Sequence, residues 1–292
     1  MLLCLAAPLA VALSCFIGFL FVALLYVGVQ GIPDRDDPRV IKDRFVRISA
    51  ASLLAALIVA CATSPRLQQV DHCRPSAPAL QWFGIWSSTN DLIGVATASL
   101  APLALTTMLF FGPLVQGWFD RSSNLSAPLL PQTQEEPGVV RLMQARNLII
   151  GPVAEEWTFR MCMCPLLVSC GYSKGQVVLL ASLIFGAAHV HHRLDARASW
   201  IAVVVQFTYT SLFGAYSSYL FLRTGLIYGP VLAHSFCNFM GLPNFAGVPG
   251  HRQSRTLAGA YVVGLLGFTI TVVVDAVFRP RLFNSMYWDE QQ

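Results

Sequence analysis

LIGVATASLAPLALTTMLFFGPLVQGWF, residues 92–119, runs between Asp91 and Asp120 without one charged side chain. Over residues 100–111 it is continuously apolar, broken only by small or uncharged groups. A membrane β-strand would instead alternate over segments of about 10 residues. A helix that crosses the hydrocarbon core needs about 20 mostly apolar residues, and this stretch holds one. Similar charge-free gaps lie before Asp34, from Arg47 to Arg66, from Arg197 to Arg223 and from Arg255 to Asp275. The pattern predicts an all-α, polytopic integral membrane protein.

Composition agrees. Of the 292 residues, 55% are hydrophobic and 12% are charged, and the mean hydropathy is +0.59. Soluble domains carry about 25% charged residues, so an ordinary soluble fold is excluded. A disordered chain would need low hydrophobicity. The net charge of +4 is scattered, whereas a nucleic-acid binder needs a clustered basic face. The eight cysteines include no Cys-x-x-Cys pair and lie mostly in apolar runs, which reads as packing.

Eight spans are expected, at about 8–29, 48–64, 92–118, 147–170, 175–191, 199–222, 225–240 and 257–278, within one membrane-embedded domain covering 1–292. The segment before residue 30 lacks a positive n-region and is read as the first span, not as a signal peptide. The 119–146 connection, with Pro128, Pro131 and Pro137, is read as an exposed linker. Twelve of the 19 Lys and Arg residues fall in the loops 30–47, 119–146, 191–199 and 241–256, and six fall on the other side. The positive-inside rule places the first group in the cytosol. The sequon at Asn124 then faces the cytosol and should stay unmodified.

Ionisable residues inside spans are expensive and mark function. They occur in three places. Glu155, Glu156 and Arg160 lie in the fourth span, His189 ends the fifth, and His234 and Asn238 lie in the seventh. Glu156 and Arg160 are i,i+4 and can pair, while Glu155 lies about 100° further round the helix. His234 and Asn238 also share a face. Gly186, Ala187 and Ala188 beside His189 should let a neighbouring helix approach closely. Glu155 is 8 residues beyond Asn147, roughly 12 Å into the membrane at 1.5 Å per residue. The histidines fall at matching depth in the cytosolic half, so the catalytic helices should lie within 147–241. His191 and His192 are read as surface residues.

A carboxylate with a histidine can hold a water and take its proton. A second histidine and an amide can donate to the oxyanion formed at a carbonyl. That describes amide hydrolysis without a covalent intermediate or a cofactor. Cys237 should point away from the His234–Asn238 face. Two alternatives stay open. Zinc held by Glu155, His189 and His234 would also activate water, although no His-Glu-x-x-His motif is present. A transporter or proton relay would use the same buried groups, but no paired interrupted spans in repeated halves support it.

Glu155-Glu156-Trp157-Thr158-Phe159-Arg160, Phe185-Gly186-Ala187-Ala188-His189 and His234-Ser235-Phe236-Cys237-Asn238 occur in that order. They resemble the Glu-Glu-x-x-x-Arg, Phe-x-x-x-His and His-x-x-x-Asn motifs of the type II CAAX prenyl endopeptidases, a family of intramembrane glutamate proteases. Residues 105–116, 189–192, 206–225 and 229–241 resemble its eukaryotic branch. The resemblance implies an eight-helix fold in the endoplasmic reticulum membrane. It also implies removal of the aaX tripeptide from prenylated CaaX proteins such as Ras-like small GTPases. By motif position, Glu155 would be the base with His189, and His234 and Asn238 would form the oxyanion hole. Glu156 and Arg160 would support the site.

Overall fold

In the computed structural model, the described residues are 7–28, 34–62, 78–86, 91–122, 136–191, 199–278, 282–283 and 285–288. Among them there are helices and no strands. Four helices are long and apolar enough to cross a membrane by length and composition, namely Ala7–Tyr26 (α1), Pro38–Ala62 (α2), Leu92–Leu109 (α4) and residues Ser254–Val277 of α12. All eight expected spans coincide with a helix or a helical run. The chain is a polytopic membrane protein.

Local chemistry explains the boundaries. α4 is capped by Asp91, whose carboxylate accepts the Gly94 N–H at 2.8 Å. The stretch 92–118 was expected as one span, but it breaks at Phe110 into α4 and α5 (Phe111–Ser122). Pro113 explains the break, because it offers no N–H to the carbonyl of Leu109 and its ring crowds that group. α2 starts ten residues before the expected span. Its first ten residues carry Arg39, Lys42, Asp43, Arg44 and Arg47, and Arg47 reaches back to cap carbonyls of Leu24 and Val27 at the end of α1. A short turn, α3 (Ala79–Trp82), follows. The expected linker 119–146 ends in a true helix, α6 (Pro137–Ala145), with Pro137 in its first turn, where a missing N–H is harmless. Asn124, Pro128 and Pro131 lie outside the described residues.

The fourth span is a continuous helical rod of mixed pitch. α6 runs into a π-helical turn at Arg146–Ile150, then α7 (Gly151–Glu156), a second π turn at Trp157–Cys162 and α8 (Met163–Ser169). Pro152 does not break it. The chain widens instead, and the Gly151 N–H donates to the Arg146 carbonyl five residues back. Such turns recur at functional sites.

The remaining helices are α9 (Lys174–His189), α10 (Trp200–Thr224), α11 (Tyr228–Met240) and α12 (Ser254–Phe278). α9 opens with a Ser173–Gln176 capping box, and α10 ends at Gly225 in the left-handed region with φ 69°. The rod lies against α1, α2, α10 and α11, and α9 packs on α10. Lipid gives helices no hydrophobic reason to associate, so small residues make the contacts. A Cβ on Gly186 would stand 2.0 Å from the Ser211 Oγ, and one on Gly229 would stand 2.7 Å from the Ala98 carbonyl. Gly186 thus fills the expected close-packing role, whereas Ala187 is exposed.

The end of the bundle opposite the site closes on a buried ion pair. Arg223 was counted as a loop charge, yet only 2% of it is exposed. It donates twice to Asp275 of α12, at 2.6 and 2.9 Å, and Tyr219 adds a third bond to that carboxylate at 2.5 Å. The pair removes the penalty of either charge alone. Residues 285–288 fold back over this end. Ser285 bonds the Leu222 carbonyl, Tyr287 the Trp82 carbonyl, and Lys174 the Trp288 carbonyl.

Candidate active site

The two adjacent glutamates point to different places. Glu155 is partly exposed and lines a cavity of about 1480 Å³ that also reaches His189, His234 and Asn238. Glu156 is fully buried. A helix rotates by about 100° per residue, so one turn of the rod supplies both environments.

Around Glu155, one oxygen faces two imidazoles. Its Oε2 is 3.8 Å from Nε2 of His189 and 3.8 Å from Nε2 of His234. These separations are too long for hydrogen bonds. The far nitrogens are already engaged. His189 Nδ1 lies 2.8 Å from the Phe185 carbonyl, one turn back on α9. A carbonyl can only accept, so Nδ1 carries the proton and Nε2 presents a lone pair toward Glu155 in the neutral ring.

Around Glu156, four elements converge. Its Oε1 takes His234 Nδ1 at 2.7 Å and Arg160 Nη1 at 3.1 Å, and its Oε2 accepts from the Ser217 hydroxyl at 2.6 Å. Arg160 has no access to solvent and donates to the Gly214 carbonyl at 3.4 Å. Its guanidinium lies 4.2 Å from the Phe185 ring and 5.8 Å from the Phe213 ring. Those rings in turn lie against the histidines, Phe185 at 4.5 Å from His189 and Phe213 at 4.7 Å from His234. Cation–π contacts are strongest in such desolvated places.

The expected constellation is therefore assembled, with three refinements. Asn238 sits at the exposed rim and donates to the Asn147 carbonyl at 2.9 Å, which ties α11 to the rod and leaves its second N–H for another acceptor. Cys237, expected to point away from the His234–Asn238 face of its helix, is also among the residues that line the cavity. His191 also lines it, while His192 lies outside the described residues. Phe213 and Ser217 of α10 were not foreseen. An aromatic and a serine in an apolar helix carry no signal of their own, although both lie on one face with Gly214 and Arg160's partner carbonyl. No group of three or more His, Cys, Asp or Glu among the described residues has metal-holding geometry.

The cavity has in its lining the charged Asp34, Arg35, Arg44 and Arg146 together with Leu212 and Tyr216 of α10 and Leu265 and Phe268 of α12. Its volume exceeds the roughly 300–1,000 Å³ of a drug-sized pocket.

Comparison with known proteins gives the same direction. The family described as type II CAAX prenyl endopeptidase Rce1-like matches residues 137–240, which hold every motif above. The CAAX prenyl protease 2 of Homo sapiens is 35% identical over 278 residues, spanning 91% of this chain and 80% of that protein. The probable CAAX prenyl protease 2 of Schizosaccharomyces pombe is 30% identical over 289 residues, spanning 91% and 97%. That of Rattus norvegicus is 32% identical over 277 residues, spanning 94% and 81%. No solved structure matches the chain. Fold, cavity and kinship together define an integral membrane protease. The chain belongs to the type II CAAX prenyl endopeptidase family.

Proposed function

We propose that this protein cleaves prenylated CaaX proteins, Ras-like small GTPases among them, between the modified cysteine and the aaX tripeptide. The observation that carries the reading is the single Glu155 oxygen set 3.8 Å from two imidazole nitrogens inside a large cavity. Two acceptors at that separation can share one water, each bonded at about 2.8 Å. Glu155 and His189 Nε2 are such acceptors. They hold the water by its two protons and take one as its oxygen attacks the scissile carbonyl.

The tetrahedral oxyanion needs donors. His234, as imidazolium, gives Nδ1–H to Glu156 and Nε2–H to the oxyanion, and the free N–H of Asn238 adds a second bond. The proton taken from water then passes to the amine of the departing tripeptide. Atoms balance with water as the only co-reactant. No metal is required in this scheme, and zinc on Glu155, His189 and His234 is the alternative to be tested.

Substrate chemistry suits the cavity. The isoprenoid would lie along the apolar side chains of α10 and α12, and the peptide end would lie toward the charged ones. The Lys/Arg imbalance supports an opening toward the cytosol, which agrees with delivery of such a substrate from that side. We place the protein in the endoplasmic reticulum membrane on family resemblance.

The test is a farnesylated CaaX peptide presented to the detergent-solubilised protein, with release of the tripeptide followed by mass. Glu155→Gln and His189→Ala should abolish cleavage, and turnover by either defeats the mechanism. Elemental analysis, with activity measured after exhaustive chelation, decides between the two schemes. Loss on chelation and recovery with zinc would establish the metal alternative.

A further inference from the structure

α10 carries none of the residues singled out by motif, yet one of its faces touches every member of the Glu156 cluster. Phe213 lies on the His234 ring, the Gly214 carbonyl accepts from Arg160, and Ser217 bonds Glu156 directly. The serine is the informative one. Hydroxyls in helices usually bond back to a carbonyl one turn earlier. Thr208, Thr210 and Thr224 of the same helix do so, at 2.8, 2.7 and 2.8 Å. Ser217 instead spends its one proton across the helix interface, on the Glu156 Oε2, at 2.6 Å and with no solvent access. That length is typical of a charge-assisted O–H to carboxylate bond.

We propose that Ser217 is a positioning residue for the cleavage reaction, acting through Glu156 on the imidazole of His234. The terminal torsion of a glutamate is soft. With the His234 bond and the Arg160 ion contact both on Oε1, nothing but Ser217 fixes the second oxygen among the contacts described. A carboxylate free to turn would carry Oε1 away from His234 Nδ1 and tilt the ring. The far nitrogen, Nε2, would then miss the place where the oxyanion forms. Donors must stand within a few tenths of an ångström of that place, and their worth is realised only in the transition state. The effect therefore belongs to kcat and not to substrate binding.

The proposal rests on His234 as oxyanion donor. The full-length protein in detergent, with a farnesylated CaaX peptide, tests it through Ser217→Ala and Ser217→Cys. Loss of one hydrogen bond to a buried charge predicts a fall in kcat of about tenfold for Ser217→Ala, with KM inside about twofold. Cysteine fills nearly the same space with a weaker donor, so its kcat should fall between the two and it carries the test if the alanine variant misfolds. On a Glu156→Gln background, the further loss from Ser217→Ala should shrink to under about twofold, because the two act as one unit. An unchanged kcat in both variants, a loss confined to KM, or the full loss on the Glu156→Gln background would overturn the positioning role. Turnover by His234→Ala would instead defeat the reading on which it rests.

Discussion

Replacing Arg160 by methionine removes one charge from a cluster that water does not reach. The side chain is 1% exposed, pairs with Glu156 at 3.1 Å and lies on Phe185. Methionine keeps much of the volume and a favourable contact with the ring, so the change isolates the charge. Breaking a buried pair by removing one partner costs about 3–5 kcal/mol. Polar contacts inside membranes average less than expected, because the unfolded state also finds partners there, so the lower end, about 3 kcal/mol, is the better figure. At about 2–4 °C per kcal/mol, the unfolding midpoint should drop by about 6–12 °C. The double variant Glu156→Gln/Arg160→Met has no stranded charge, and neutral replacement of a buried pair is often harmless. Its midpoint should return to within about 3 °C of the parent. kcat should fall at least about tenfold in both variants while staying measurable, because His234 has lost its carboxylate in one and its counter-charge balance in the other. Cys162 and Cys164 are free and buried, so a thiol-reactive dye reports unfolding in detergent. A double variant as fragile as the single one, or one with full activity, would refute the reasoning.

Three further outcomes are expected. Asp275→Asn strands Arg223 at the far end of the bundle and should lower stability by about 3 kcal/mol, while kcat per folded molecule stays unchanged; a thermal scan with active-fraction titration reads both. Gly186→Val should yield no monodisperse protein on size exclusion, because its Cβ would meet Ser211 Oγ at 2.0 Å and the Phe207 carbonyl at 3.2 Å. Gly175→Ala in the same helix meets nothing within 4 Å and should be tolerated. Asn238→Ala removes the exposed residue proposed as second oxyanion donor and should lower kcat by about 10²–10³ with little change in the unfolding midpoint.

Much of this was legible in the sequence because charge is so scarce. Most of the spans could be placed by the few Asp, Glu, Lys and Arg residues, and Glu155, Glu156 and Arg160 stood out as exceptions. Matching depth brought Glu155, His189 and His234 together before any coordinates. The rest was hidden for physical reasons. Ser217 and Phe213 look like ordinary members of an apolar helix, since a hydroxyl's partner depends on which helix faces it. Arg223 and Asp275 look like span ends, because only the packing of α10 on α12 shows that they pair. The first half of α2 looks like a loop, as charges outside the membrane do not prevent a helix from continuing. Hydropathy also undervalues α10, whose Thr210, Ser217 and Ser218 are buried against protein instead of lipid.

The adjacency of the two glutamates can be argued from charge balance. The site holds two carboxylates, one guanidinium and, in the proposed working state, one imidazolium, with His189 neutral. Their sum is zero. In a low-dielectric interior, a residual charge costs several kcal/mol even after relaxation. Glu156 therefore cannot be buried without Arg160, and the 2.7 Å contact with Nδ1 ties the His234 ring to the same carboxylate. Glu155 is the one member left facing the cavity, where a shared water can relieve its charge and where its basicity is of use. The Arg on the rod is thus joined to a histidine on α11 through a fully buried carboxylate. On that account the three motifs are one electrostatic unit. A displacement of the His234 ring must be felt at Glu155, whose Oε2 faces the same ring at 3.8 Å.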